Sequence, residues 1–107
     1  MSRVQIAASA EIIHMVIGLL QMDLRIPENQ SLKGKRQVLL SLKTRLRQKF
    51  NISISETENQ DKWQLATLSA ACVGTDQAGV NEMLNHVVDM AGREREIELI
   101  SMRMEFL

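Results

Sequence analysis

Between Leu20 and Leu46 the apolar residues change their period, and that change limits what the chain can fold into. Leu20, Met22, Leu24 and Ile26 alternate with Gln21, Asp23 and Arg25. Successive side chains of a strand point to opposite faces, so the alternation predicts a strand over 16–26 with one buried face. Pro27 lacks a backbone donor and ends it, and "PENQ" reads as a loop. The spacing then becomes three and four. Val38, Leu39, Leu42 and Leu46 share one face of a helix predicted over 32–49, with Ser31 as its N-cap. Gly34 weakens its first turn.

The two periods recur in the second half. Phe50, Ile52 and Ile54 alternate with Asn51, Ser53 and Ser55, a second strand, and "ENQD" is a turn. "WQLATLSAACV" is a third strand, whose inward residues Ala66, Ala70 and Cys72 around Leu68 are small enough to let a helix lie close. Asp76 caps a helix predicted over 77–91, with Val80, Met83, Leu84, Val87 and Ala91 as its core stripe and Gly92 as its stop. The last strand runs over 96–106, with Ile100, Met102, Met104 and Phe106 on one face. This order predicts an α+β, ferredoxin-like βαββαβ fold: a four-stranded antiparallel sheet with two helices on one face. A chain of 107 residues with a 45% apolar fraction fits a single domain, expected over 15–107. "MSRVQIAASAEIIH" (1–14) falls outside the pattern; it is an N-terminal extension, or Met15 is the native start.

Charge is distributed unevenly. Net charge is zero, yet seven of the 13 Lys and Arg residues fall in "SLKGKRQVLLSLKTRLRQKF" (31–50), and no acid occurs from Asn29 to Ser55. Solvated helices usually mix Glu with Lys at four-residue spacing. At 100° per residue from Leu42, the cations Lys43, Arg36, Arg47 and Lys33 occupy one flank, between about 100° and 180°, with Leu40 among them. Arg45 lies on the other flank, and Lys35 and Lys49 fall near the core stripe, from which they are expected to snorkel. Lys33, Arg36, Lys43, Arg45 and Arg47 are thus the candidate anion-binding residues, with nucleic-acid phosphate, as RNA or the ribosome, the first expected partner. A solvated face and an acidic protein partner are the alternatives. A base-stacking platform on the sheet is disfavoured, and with it sequence-specific reading of a single strand, because there is no Tyr and Phe50 and Phe106 fall on inward phases, which leaves only Trp63. The outer sheet face carries Leu19, Leu65, Ile97 and Leu99, beside Trp63 and polar residues that include Thr67. A homodimer through that face is the second expectation.

Other chemistry finds little support. Cys72 stands alone in an apolar context and is expected to be a buried small hydrophobe. His14 and His86 are far apart in sequence. Glu56, Glu58 and Asp61 crowd the second hairpin, where solvated acids are common; a general acid–base pair is the less expected role. No metal, cofactor or catalytic motif is present, so the expectation is a non-enzymatic protein without a cofactor. "MVIGLL" is too short to span a bilayer and the start lacks the order of a secretory signal, so a cytoplasmic location with no membrane association is expected.

The segments "LRIPENQSLKGKRQVLLSLKTRLRQKFNISISE" and "QDKWQLATLSAACV", with "MEFL" at the end, resemble the YlxP-like family of small bacterial proteins of unknown function. The resemblance covers 15–107, and "SLKxKR", "LKxRLRxKFN" and "DxWQxA" carry it together. It implies a ferredoxin-like fold in a bacterial cytoplasmic protein. It also implies a gene neighbourhood of translation initiation factor two and ribosome-binding factor A, and carries over no catalytic residue. Gly34 departs from the acidic residue expected between Lys33 and Lys35.

Overall fold

The computed structural model describes residues 14–107; the expected extension lies, but for His14, outside the described residues. The elements are β1 (Val16–Arg25), α1 (Leu32–Lys49), β2 (Ser53–Glu58), β3 (Leu65–Gly74), α2 (Gln77–Gly92) and β4 (Glu98–Phe106). The strands form one sheet in the order β2-β3-β1-β4, every neighbour antiparallel. This is the ferredoxin-like arrangement that the alternating periods predict. Both helix starts use the expected caps: Ser31 Oγ accepts from the Gly34 amide at 2.9 Å, and Asp76 Oδ1 from the Gly79 amide at 2.7 Å. Helix α2 ends at Gly92, as expected, but without a left-handed glycine. No glycine among the described residues has positive φ, and α2 closes through Arg93 in the right-handed region, whose amide donates to Asp89.

The core lies between the helices and one sheet face. Leu20, Met22 and Leu24 of β1 meet Ala66, Leu68 and Ala70 of β3, Leu39, Leu42 and Leu46 of α1, and Val80, Leu84 and Val87 of α2. Each such leucine contributes about 1.5–3 kcal/mol by leaving water. Close approach of α2 depends on Gly18, which pairs with Cys72 across the sheet. A Cβ at Gly18 would collide with Val80 Cγ1 and lie 2.8 Å from Leu84 Cδ1. Cys72 is buried there, and desolvation raises its thiol pKa, as befits a small hydrophobe.

Two bulges reset the alternation. In β2, Glu56 pairs with Leu68 and Glu58 with Thr67, so Thr57 is the extra residue. In β4, Ser101 pairs with Asp23 and Leu99 with Leu24, so Ile100 is extra. An extra residue shifts every residue beyond it to the opposite face. Ile97 and Leu99, expected on the outer face, therefore turn inward: Ile97 is buried in the core and Leu99 packs against it. Ile100, expected inside, is 55% exposed. Strict alternation counted back from Phe106 does not anticipate the extra residue.

Replacing Gly18 with Val is expected to overpack the α2–sheet contact and destabilise the fold by about 1–3 kcal/mol. Urea denaturation measures this, as a lower midpoint at unchanged slope.

Candidate functional site

Lys35 does not snorkel. Its phase is that of the core stripe, and its side chain is 1% exposed. The ammonium donates to the backbone carbonyls of Asn59 at 2.6 Å, Lys62 at 2.7 Å and Leu65 at 2.7 Å. An ammonium has three protons, and these carbonyls use all three. Glu56 Oε2 lies 2.8 Å from the same nitrogen as a fourth oxygen. It has no hydrogen-bond donor of its own, so its contact is one of charge rather than a dedicated proton. A buried charge this well coordinated avoids the large cost of an unpaired one.

The ammonium fastens the loop between β2 and β3 to the start of α1, and neighbouring groups complete the junction. Asn29 Nδ2 donates to Trp63 O at 2.5 Å and to Ser31 O at 2.6 Å. Gln64 Nε2 donates to Asn29 O at 3.0 Å, and the Ile26 amide to Gln64 O at 2.8 Å. Gly34 gives Asn29 room: a Cβ at that position would collide with Asn29 Oδ1. Two of the motifs that carry the family resemblance, "SLKxKR" and "DxWQxA", thus meet at one nitrogen. Asn59 adopts the left-handed conformation, φ 64°, which asparagine tolerates, and this completes the loop.

The five candidate cations divide. Arg45 pairs with Glu94, which follows α2, at 2.7 Å. Arg47 reaches the other way and donates to the Ile54 carbonyl of edge strand β2 at 2.9 Å. Both therefore also fasten α1 in place. Lys33 and Arg36 are exposed and Lys43 is half-buried, and no described carboxylate lies within ion-pair reach of the three. By helical phase they share the flank of Arg47, along the β2 edge and away from the acids of α2. Leu40, 58% exposed, lies among them.

The outer sheet face is more polar than expected. Thr67 is buried rather than solvated: its hydroxyl donates to Asp23 Oδ1 at 2.9 Å and accepts from Asn59 Nδ2 at 3.1 Å. Ser101 donates to Asp23 Oδ2 at 2.8 Å, and Arg103 lies 3.3 Å from the same oxygen. Bonds from Ser101 and Thr67, with Arg103 alongside, hold the Asp23 carboxyl below its ordinary range. An open cleft of about 350 Å³ is lined by Gln21, Asp23, Glu58, Asn59, Thr67 and Arg103, most of which bond one another. Leu19 and Leu65 do face this side, but six positions of register and the polar cluster separate them. Trp63 belongs to the loop, and Ile97 and Leu99 to the interior, so these five positions form no contiguous apolar patch. The Thr57 bulge sends Glu58 to the outer face while Glu56 turns in to Lys35, so the two carboxyls cannot act as an acid–base pair.

Sequence spacing hid the role of Lys35, although a lysine within about 20° of the core-stripe centre is the signal that marks it. Asn29 read as part of a loop and Gln64 as part of the third strand and of the "DxWQxA" motif, and neither pointed to this junction. Replacing Lys35 with Met removes the donor while the carbonyls stay. The expected loss is about 3–5 kcal/mol, a large share of a small domain's stability. Glu56→Gln keeps the carbonyl cage and should cost about 1–2 kcal/mol. Denaturant titration of both variants checks the order; a near-neutral Lys35→Met would contradict the role assigned to the ammonium.

Comparison with known proteins agrees with this fold and adds a family. The uncharacterized protein YlxP of Bacillus subtilis (strain 168) is 35% identical over 91 residues, covering 85% of this chain and 99% of that protein. Among solved structures, the de novo designed protein Ferredog-Diesel matches at TM-score 0.51 and 11% identity, over 98% of this chain and 92% of its own, a likeness of fold alone. SnoaB, a cofactor-independent oxygenase from Streptomyces nogalater, matches at TM-score 0.44 and 12% identity over 88% of this chain and 91% of its own, too remote to bear on function. No described helix is long and apolar enough to cross a membrane. Residues 17–104 match the family described as "Protein of unknown function (DUF503)", and with the YlxP relative this places the chain in that family.

Proposed function

We propose that the chain is a small non-enzymatic protein that docks on RNA, with the ribosome the first candidate, through the exposed flank of α1. The observation that supports this is the separation of its cations. Arg45 spends its charge on Glu94, and Arg47 commits a donor to the Ile54 carbonyl. Lys33, Arg36 and Lys43 have no acid within ion-pair reach among the described residues, so their charge stays available to an external anion. The three span about 15 Å of helix, a row suited to successive phosphates rather than to one small anion. Contacts of this kind position a nucleic acid without reading its sequence, and they weaken steeply with salt. The translation-gene neighbourhood that the family resemblance implies points the same way.

Changing Lys33, Arg36 and Lys43 together to Glu should leave the fold intact, because none of the three holds another element. Binding to purified ribosomal subunits should fall by at least about 100-fold. Sedimentation through a gradient at low salt reads the effect, with circular dichroism confirming the fold. A folded variant that still migrates with a subunit as the parent does would remove the basic flank from the account.

A further inference from the structure

The loop that Lys35 fastens also carries the one tryptophan of the chain, and that tryptophan is 56% exposed. An exposed large side chain alone means little. Its setting means more. Four successive carbonyls, those of Lys62, Trp63, Gln64 and Leu65, each accept a hydrogen bond, from Lys35, Asn29, the Ile26 amide and Lys35 in turn. All these donors lie in α1 or the segment leading into it. The indole is therefore presented from a fixed backbone at the end of α1 where Lys33 and Arg36 begin the basic flank. The ring contacts among the described residues are Phe50 with His86 and Lys49 with Phe50, and neither involves Trp63. The sheet offers no rival platform, since Phe50 and Phe106 pack against the core.

We infer that Trp63 is a stacking platform for one unpaired nucleobase, so that the RNA docked on α1 is single-stranded at this end. The inference rests on the RNA function proposed above and specifies its ligand. A base inside a duplex cannot reach a side-chain ring, whereas an unstacked base lies readily on an aromatic face. Ordering costs little, because the platform is already held. The strand then runs along Lys33, Arg36 and Lys43, with its terminal base turned onto the indole.

Because Trp63 is the only tryptophan, its fluorescence reports the contact in the unaltered protein. The probes are a ten-nucleotide unstructured RNA of A and C, a blunt RNA duplex of the same length, and inorganic polyphosphate. The single strand should quench the emission, while polyphosphate competes for the basic flank without quenching. Trp63→Ala should weaken single-strand binding by about 5- to 100-fold and leave polyphosphate binding unchanged, with Trp63→Phe between. Tight single-strand binding with no quenching and no loss in Trp63→Ala would overturn the platform and leave the RNA function standing. Failure of every RNA probe to bind at low salt would overturn both.

Discussion

The Lys35 ammonium is the interaction on which the arrangement of the functional surface depends. Helix α1 and the β2–β3 loop are far apart in sequence, and each leaves polar groups that a core must satisfy. One nitrogen satisfies three loop carbonyls and faces the Glu56 carboxylate. Backbone carbonyls are present whatever the side chains, so an apolar residue at position 35 would bury acceptors without donors. The ammonium thereby fixes where α1 lies along the sheet edge and how the Trp63 loop is held against it.

Around that junction the basic residues divide by task. Lys35 turns into the molecule, Arg45 crosses to Glu94 beyond α2, and Arg47 covers an outward carbonyl of the edge strand β2. This last contact also blunts an edge that would otherwise invite pairing with another chain. Lys33, Arg36 and Lys43 stand on the flank of Arg47, while the core stripe and the α2 contact occupy other directions of the helix. A net charge of zero conceals this polarity, since the described acids lie on β1, β2, α2, β4 and the loops.

Sequence alone displayed most of the fold, because strict period two and period 3.6 are the signatures of half-buried strands and helices. Ser31 and Asp76 announced the helix starts through their side-chain oxygens. What it concealed are departures from periodicity. Ile100 is a bulge, so the phase that looked inward at Ile100 and outward at Ile97 and Leu99 is reversed. Thr67 and Lys35 are polar residues on positions that burial claims, each made tenable by partners from distant segments: Asp23 and Asn59 for Thr67, Asn59, Lys62 and Leu65 for Lys35. Such partners come together only through folding. The basic flank was visible from the helical wheel, but which cations are spent internally was not, because Glu94 and the Ile54 carbonyl approach from other elements.

The most direct test of the account is the salt dependence of single-stranded RNA binding by the unaltered protein. Three phosphate contacts, from Lys33, Arg36 and Lys43, predict that log K falls against log salt with a slope of about −2. A slope near zero, or no measurable binding at low ionic strength, would contradict an electrostatic docking surface on α1.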